Sequence, residues 1–226
     1  MVVAAPDMRK ALTEGAGAIW QGSAVGNDLA TAFVFSGNGS QWAGMGLAAY
    51  RSNSAWRAAL DRFDQRFTEL AGWSAVGALH SPDLSTDIRR ASVAQPLLLA
   101  VQVAIVEALT EQGLSPAIAI GHSVGEIGAA LCAGALDLDS AIRVVLARSR
   151  RQEITRHQGA MAAVLVSPED MQALLDHGSF PELEIAAVNS GRGVTVAGPR
   201  PVFEAFLKFA EQERWGIKRL DLDYPF

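Results

Sequence analysis

The sequence predicts an α/β protein built in two successive parts, and three observations carry that reading. From residue 31 to about residue 159, short apolar strand-like runs alternate with helical stretches, the pattern of a parallel sheet with crossover helices. Within that region, Gly121-His122-Ser123-Val124-Gly125 stands between a predicted strand and a predicted helix. From residue 160 to residue 226 the order becomes strand, helix, strand, strand, helix, strand, the split βαβ arrangement of ferredoxin-like folds.

Taken in order, residues 31–35 read as a strand and 56–70 as an amphipathic helix. Residues 94–111 predict a longer helix carrying Leu97, Leu98, Val101, Ile105 and Leu109. Ser115-Pro116 breaks the chain, 117–120 predict a short buried strand, and 127–132 a small apolar helix that Gly134 is placed to end. Asp139 is expected to cap a helix running to about Glu153. In the second part, 161–166 predict a strand, and Ser167-Pro168 an N-cap with proline in the first turn of a helix to Asp176. Residues 183–188 and 194–197 predict strands joined through 189–193, followed by a helix over 201–215 and a last strand over 217–223. Residues 1–30 are rich in Ala and Gly, lack sustained periodicity, and predict a linker remnant with one possible short helix.

Composition narrows the function classes. A chain of 226 residues can bury a proper core, and 50% hydrophobic with 19% charged residues indicates a packed protein. The net charge of −5 disfavours nucleic acid or an anionic membrane as the main partner. A single cysteine, Cys132, allows no internal disulfide and suits a reducing cytoplasm; its apolar surroundings mark a small core residue. No run is expected to approach the roughly 20 apolar residues of a spanning helix, and the first thirty residues carry no signal-peptide pattern.

A G-x-S-x-G between strand and helix is the nucleophile-elbow pattern, a sharp strained turn that holds a serine hydroxyl clear of the sheet. Ser123 is therefore the candidate nucleophile, and the Val124 N–H, at a helix N-terminus, a candidate oxyanion donor. Arg148 is placed by periodicity on the apolar face of its helix with Ala141, Val144 and Val145, opposite Arg143 and Arg150. A guanidinium on a buried face requires an anion. The planar fork suits a carboxylate, and a core Asp or Glu in a structural pair is one reading of it. Gln95 is either a pocket residue or a helix-start hydrogen-bonding group. His122 adjoins the nucleophile and could line the pocket, but pointing away across the elbow it is not expected to be the base. His80, His157 and His177 read as solvated surface histidines. With no H-E-x-x-H and no cysteine pair, no metal site is expected.

Two further stretches complete a family resemblance. Phe33-Val34-Phe35-Ser36-Gly37-Asn38-Gly39-Ser40-Gln41-Trp42-Ala43-Gly44-Met45-Gly46 resembles the opening strand and glycine-rich loop of the malonyl-CoA:acyl-carrier-protein transacylase family. Arg148-Ser149-Arg150 is similar to that family's substrate-arginine segment, and Val188-Asn189-Ser190 adds to the match. The whole is most similar to an acyltransferase domain of a polyketide synthase. The resemblance implies a hydrolase-like parallel-sheet core carrying an inserted ferredoxin-like subdomain, with the active site in the cleft between them. It implies that the Asn38 N–H is the second oxyanion donor, although most relatives have Gln there and Pro at position 36. It makes malonyl-CoA the acyl donor, with methylmalonyl as the alternative acyl group. The phosphopantetheine thiol of an acyl carrier protein is the acceptor, flanking synthase domains such as a ketosynthase are the neighbours, and no cofactor is bound. Val124 and Phe226 match the malonyl type, whereas Tyr224 partly matches the methylmalonyl type. The family's general base is a histidine directly after the position of Phe226, so the base is expected beyond this chain. The competing readings are an α/β-hydrolase esterase and a non-catalytic carrier-protein docking fragment.

Overall fold

A computed structural model describes residues 30–220 and 222–225. Apart from Ala30, the linker expected over 1–30 lies outside them, as does Phe226. Strand β1 (Ala32–Phe35) pairs in parallel with β2 (Ile118–Gly121), Phe35 opposite Gly121. The crossover that parallel pairing requires runs through α1 (Leu47–Ser52), α2 (Ser54–Ala71), α3 (Ala75–Leu79), α4 (Leu84–Asp87) and α5 (Ala91–Glu111). After β2 come α6 (Gly125–Cys132) and α7 (Leu138–Glu153).

Helix α2 begins where the Asn53 side chain accepts the Trp56 N–H at 3.0 Å, and ends at Gly72 in the left-handed conformation. Its buried stripe of Trp56, Leu60, Phe63 and Phe67 follows helical spacing and packs against α5, which in turn packs against α7. Helix α5 corrects one expectation. By length and a mean hydropathy of 1.7 it is long and apolar enough to cross a membrane. Leu97, Leu99, Ala100 and Ala104 are nonetheless sealed inside the protein, so it is the core helix of this layer. A helix apolar all round is what an interior position demands.

Two local expectations also change. Asp137, not Asp139, caps α7: it has extended backbone angles, and its Oδ1 accepts the Ser140 N–H at 2.7 Å. Asp139 lies one residue inside the first turn, where it pairs with Arg66 of α2. The strand expected to be buried, β2, is open on one face, with Ile118 and Ile120 exposed by 56% and 53% beside an exposed Val34 of β1. A continuous apolar run carries no period-2 signal, so sequence could not tell a one-faced from a two-faced strand.

The second part contains β3 (Gly159–Leu165), α8 (Pro168–Asp176), β4 (Glu184–Ser190), β5 (Gly193–Pro199), α9 (Arg200–Gln212) and β6 (Gly216–Arg219). The sheet order β4-β5-β3-β6, antiparallel throughout, is the ferredoxin-like arrangement expected. Val164, Val194 and Val196 pack against Met171 of α8 and Phe203 and Phe206 of α9. Ser167 caps α8 through the Asp170 N–H, as its sequence implied. The connection expected over 189–193 tightens to Gly191-Arg192, because Asn189 and Ser190 stay in the strand and Asn189 Nδ2 donates to Thr195 Oγ1 at 2.9 Å. Strand β6 stops at Arg219, short of the expected 223. The Leu220 N–H still reaches the Met161 carbonyl, but Asp223 turns to Arg200 and His157. His157 is thus solvent-exposed as expected, but its ring nitrogen is bonded to the Asp223 carboxylate.

Candidate active site

The turn from β2 into α6 positions Ser123, the candidate nucleophile. Ser123 has φ of 55°, a left-handed conformation that non-glycine residues rarely hold. The Gly125 N–H donates to the His122 carbonyl at 2.9 Å and the Glu126 N–H to the Ser123 carbonyl at 3.1 Å, closing the turn. Both elbow glycines are sterically required. A Cβ on Gly121 would lie 2.3 Å from the Glu126 backbone nitrogen, and one on Gly125 2.3 Å from the Phe35 carbonyl oxygen. We expect Gly125→Ala to force β1 and α6 apart, costing on the order of 3 kcal/mol. The melting temperature should then fall by roughly 6–12 °C. A thermal melt checks this, and an unchanged midpoint would refute the jammed packing.

The glycine-rich loop lies directly beside the elbow. A Cβ on Gly37 would come within 2.6 Å of the His122 carbonyl oxygen and 3.1 Å of Ser123 Cβ, so the next residue, Asn38, is held close to Ser123. Gln102 of α5 secures this loop by donating from Nε2 to the Ser36 carbonyl at 2.9 Å, and Ser40 Oγ donates to the Gly37 carbonyl at 2.9 Å. Gly39 spends its N–H on Gln41 Oε1. Among the described residues, the N–H groups of Asn38 and Val124 donate to no protein acceptor. Two amide donors beside a serine hydroxyl are what a tetrahedral oxyanion needs.

Arg148 enters from α7. Its Nη2 donates to Ser123 Oγ at 2.9 Å, and its Nη1 to Gln95 Oε1 at 2.7 Å and Gln152 Oε1 at 2.8 Å. Ala141 and Val145 of the expected apolar face are buried, whereas Val144 is exposed. Burial pushes the guanidinium below its ordinary range, and the Glu126 carboxylate acts through space in the other direction. Among the described residues, no Asp or Glu makes an ion pair with Arg148. The structural-pair alternative is therefore not what these residues form. Gln95 is fully buried and accepts from Arg148. The helix start is served by other groups: the Ala91 N–H by Tyr224 Oη at 2.8 Å and the Ser92 N–H by Glu153 Oε2 at 2.9 Å.

Sequence reasoning missed Gln152, Gln102 and Glu153. Gln152 carried a signal, since it lies four residues after Arg148 on the same helix face. Burial works against the ionised form of Glu153, but the Ser92 N–H, the Tyr224 hydroxyl and Arg156 together hold its carboxyl below the usual range. Burial pushes the Tyr224 phenol up. His122 is exposed and its ring lies against Gly37; among the described residues no histidine bonds to Ser123 Oγ. Half-buried Cys132 has its thiol pushed up by burial, the opposite of an activated nucleophile.

A strained serine with paired amide donors, faced by a guanidinium with only neutral partners among the described residues, is an arrangement that suits acyl transfer through a serine. The acyl transferase domain family matches residues 32–226, and the chain belongs to that family. It is 34% identical over 192 residues to the erythronolide synthase EryA2 of Saccharopolyspora erythraea, covering 85% of this chain and 5% of that protein. The acyltransferase domain from the second module of the salinomycin polyketide synthase superposes with a TM-score of 0.82 at 29% identity, covering all of this chain and 54% of that one. The malonyl CoA-acyl carrier protein transacylase of Burkholderia pseudomallei superposes with a TM-score of 0.74 at 27% identity, covering 88% and 66%. The chain thus spans a small fraction of the synthase it matches and about half to two thirds of these solved chains.

Proposed function

We propose that this chain transfers a malonyl group from coenzyme A to the phosphopantetheine thiol of an acyl carrier protein, through an ester on Ser123. The observation that carries the reading is Arg148, a half-buried cation whose fork reaches Ser123 Oγ and, among the described residues, meets only neutral oxygens. An acyl group on Ser123 that ends in a carboxylate supplies the missing anion. The Ser123 hydroxyl attacks the thioester carbonyl while a base takes its proton. The carbonyl oxygen becomes an oxyanion facing the Asn38 and Val124 N–H groups, and the C–S bond then breaks to release the coenzyme thiol. The carrier thiol next attacks the ester, the C–O bond breaks and Ser123 regains its proton. We assign the base to a histidine directly after Phe226, as the family resemblance implies. Val124, beside the nucleophile, supports malonyl over methylmalonyl by that same resemblance. Coenzyme A is a substrate here, and we place the protein in the cytoplasm, which suits its single cysteine.

A cavity of about 700 Å³ opens beside the oxyanion loop, lined by Asn38, Arg89, Arg156, Arg200, Lys218 and Arg219 among others. Among the described residues, Asp223 is the one acidic residue in that lining, and Arg89 and Lys218 form no ion pair. A cationic cavity suits the phosphates that coenzyme A and phosphopantetheine share. We expect Lys218→Glu to raise KM for malonyl-CoA by about 3- to 10-fold, more at low salt. Acylation by malonyl-N-acetylcysteamine, which lacks phosphates, should not change. Equal effects on both donors would remove the phosphate role.

The reading itself is tested by treating the full-length protein with malonyl-CoA and recording intact mass before and after adding holo carrier protein. A malonyl adduct that transfers to the carrier supports it. No adduct, or hydrolysis far exceeding transfer, would replace it with a docking module or an esterase.

A further inference from the structure

We propose that Gln152 is a specificity-determining residue that acts through Arg148: it holds the guanidinium in place while leaving its charge unspent. The proposal rests on Arg148 receiving the acyl carboxylate. Gln152 lies one turn after Arg148 on α7, and its Oε1 accepts both Arg148 Nη1, at 2.8 Å, and Gln95 Nε2. Gln95, with no exposure at all, returns its own Oε1 to the same Nη1 at 2.7 Å. The two neutral amides therefore close a hydrogen-bonded cycle around one end of the fork. The other end, Nη2, is left facing Ser123 Oγ.

Charge is the decisive property at position 152. An amide oxygen orients a guanidinium without neutralising it, whereas a carboxylate at the same place would make a charge-assisted pair. Glutamate differs from glutamine at one atom and has the same reach, so it would seat where the amide sits. It would satisfy Arg148 from within the protein and compete with any carboxylated acyl group on Ser123. It would also repel that group directly. An apolar side chain of similar length would act differently. It would keep the charge of Arg148 but free its orientation, and would leave the buried Gln95 amide without its acceptor.

The test is a competition on the full-length protein. Wild type, Gln152→Glu and Gln152→Met are each mixed with equal malonyl-CoA and acetyl-CoA, and the two Ser123 adducts are quantified by intact mass. Their ratio is independent of how much protein is folded, and a merely structural role would lower both adducts together. The malonyl-to-acetyl ratio should fall by about 30-fold or more in Gln152→Glu, and by roughly 3- to 10-fold in Gln152→Met. A wild-type ratio in Gln152→Glu overturns the proposal. If that variant gives no adduct of either kind, an unchanged ratio in Gln152→Met overturns it. A wild-type protein without malonyl preference, together with an unaltered ratio in Arg148→Ala, would instead overturn the reading of Arg148 and this proposal with it.

Discussion

Replacing Ser123 with alanine should abolish the covalent acyl adduct and lower transfer by on the order of 10⁴–10⁶-fold, the loss seen when a member of a nucleophile–base unit is removed. The fold should survive, because the change deletes one hydroxyl from a half-buried turn. Arg148 Nη2 loses an acceptor, but its half-buried guanidinium is open to water. The strain at φ 55° is carried by alanine much as by serine. Intact mass after malonyl-CoA treatment and a thermal melt read the two halves of this expectation. An adduct that persisted in the alanine variant would move the nucleophile elsewhere.

Replacing Arg148 with alanine should lower kcat/KM for malonyl-CoA by about 30-fold to several thousand-fold, the range for truncating one side of a desolvated charge pair. Acetyl transfer should be retained or rise, because an acetyl group has no carboxylate to lose. The empty space would leave Gln95 Oε1 without its donor, so some stability is lost as well. The discrimination between the two acyl groups separates the roles. Equal losses for malonyl and acetyl would mark Arg148 as a structural residue.

How far the site could be read in advance differed from residue to residue. Ser123 and Val124 belong to a contiguous motif whose geometry is local, so strand, turn and helix could be placed from the letters. The same holds for the order of elements after residue 160 and for the Ser167 cap. Arg148 was legible because helical periodicity put a cation where apolar side chains belong. Gln95 was left open between two roles, since a glutamine near a helix start has both within reach. Gln102 was not legible: its link to the Ser36 carbonyl joins positions far apart in sequence. Choosing Asp139 over Asp137 as the cap was a shift of two residues that only backbone angles settle.

The sequence by itself determined the nucleophile turn, the two-part order of strands and helices, and the candidate cation of the site. Each rests on interactions within a few residues of chain, where spacing and residue type are sufficient. The tertiary structure alone decided what Arg148 touches. It brought Gln95 of α5 and Gln152 of α7 to one end of the guanidinium and Ser123 to the other. It also decided that the long apolar helix α5 lies inside the core. Those outcomes depend on which helices pack together across long stretches of chain, and side-chain periodicity reports a face without reporting what covers it.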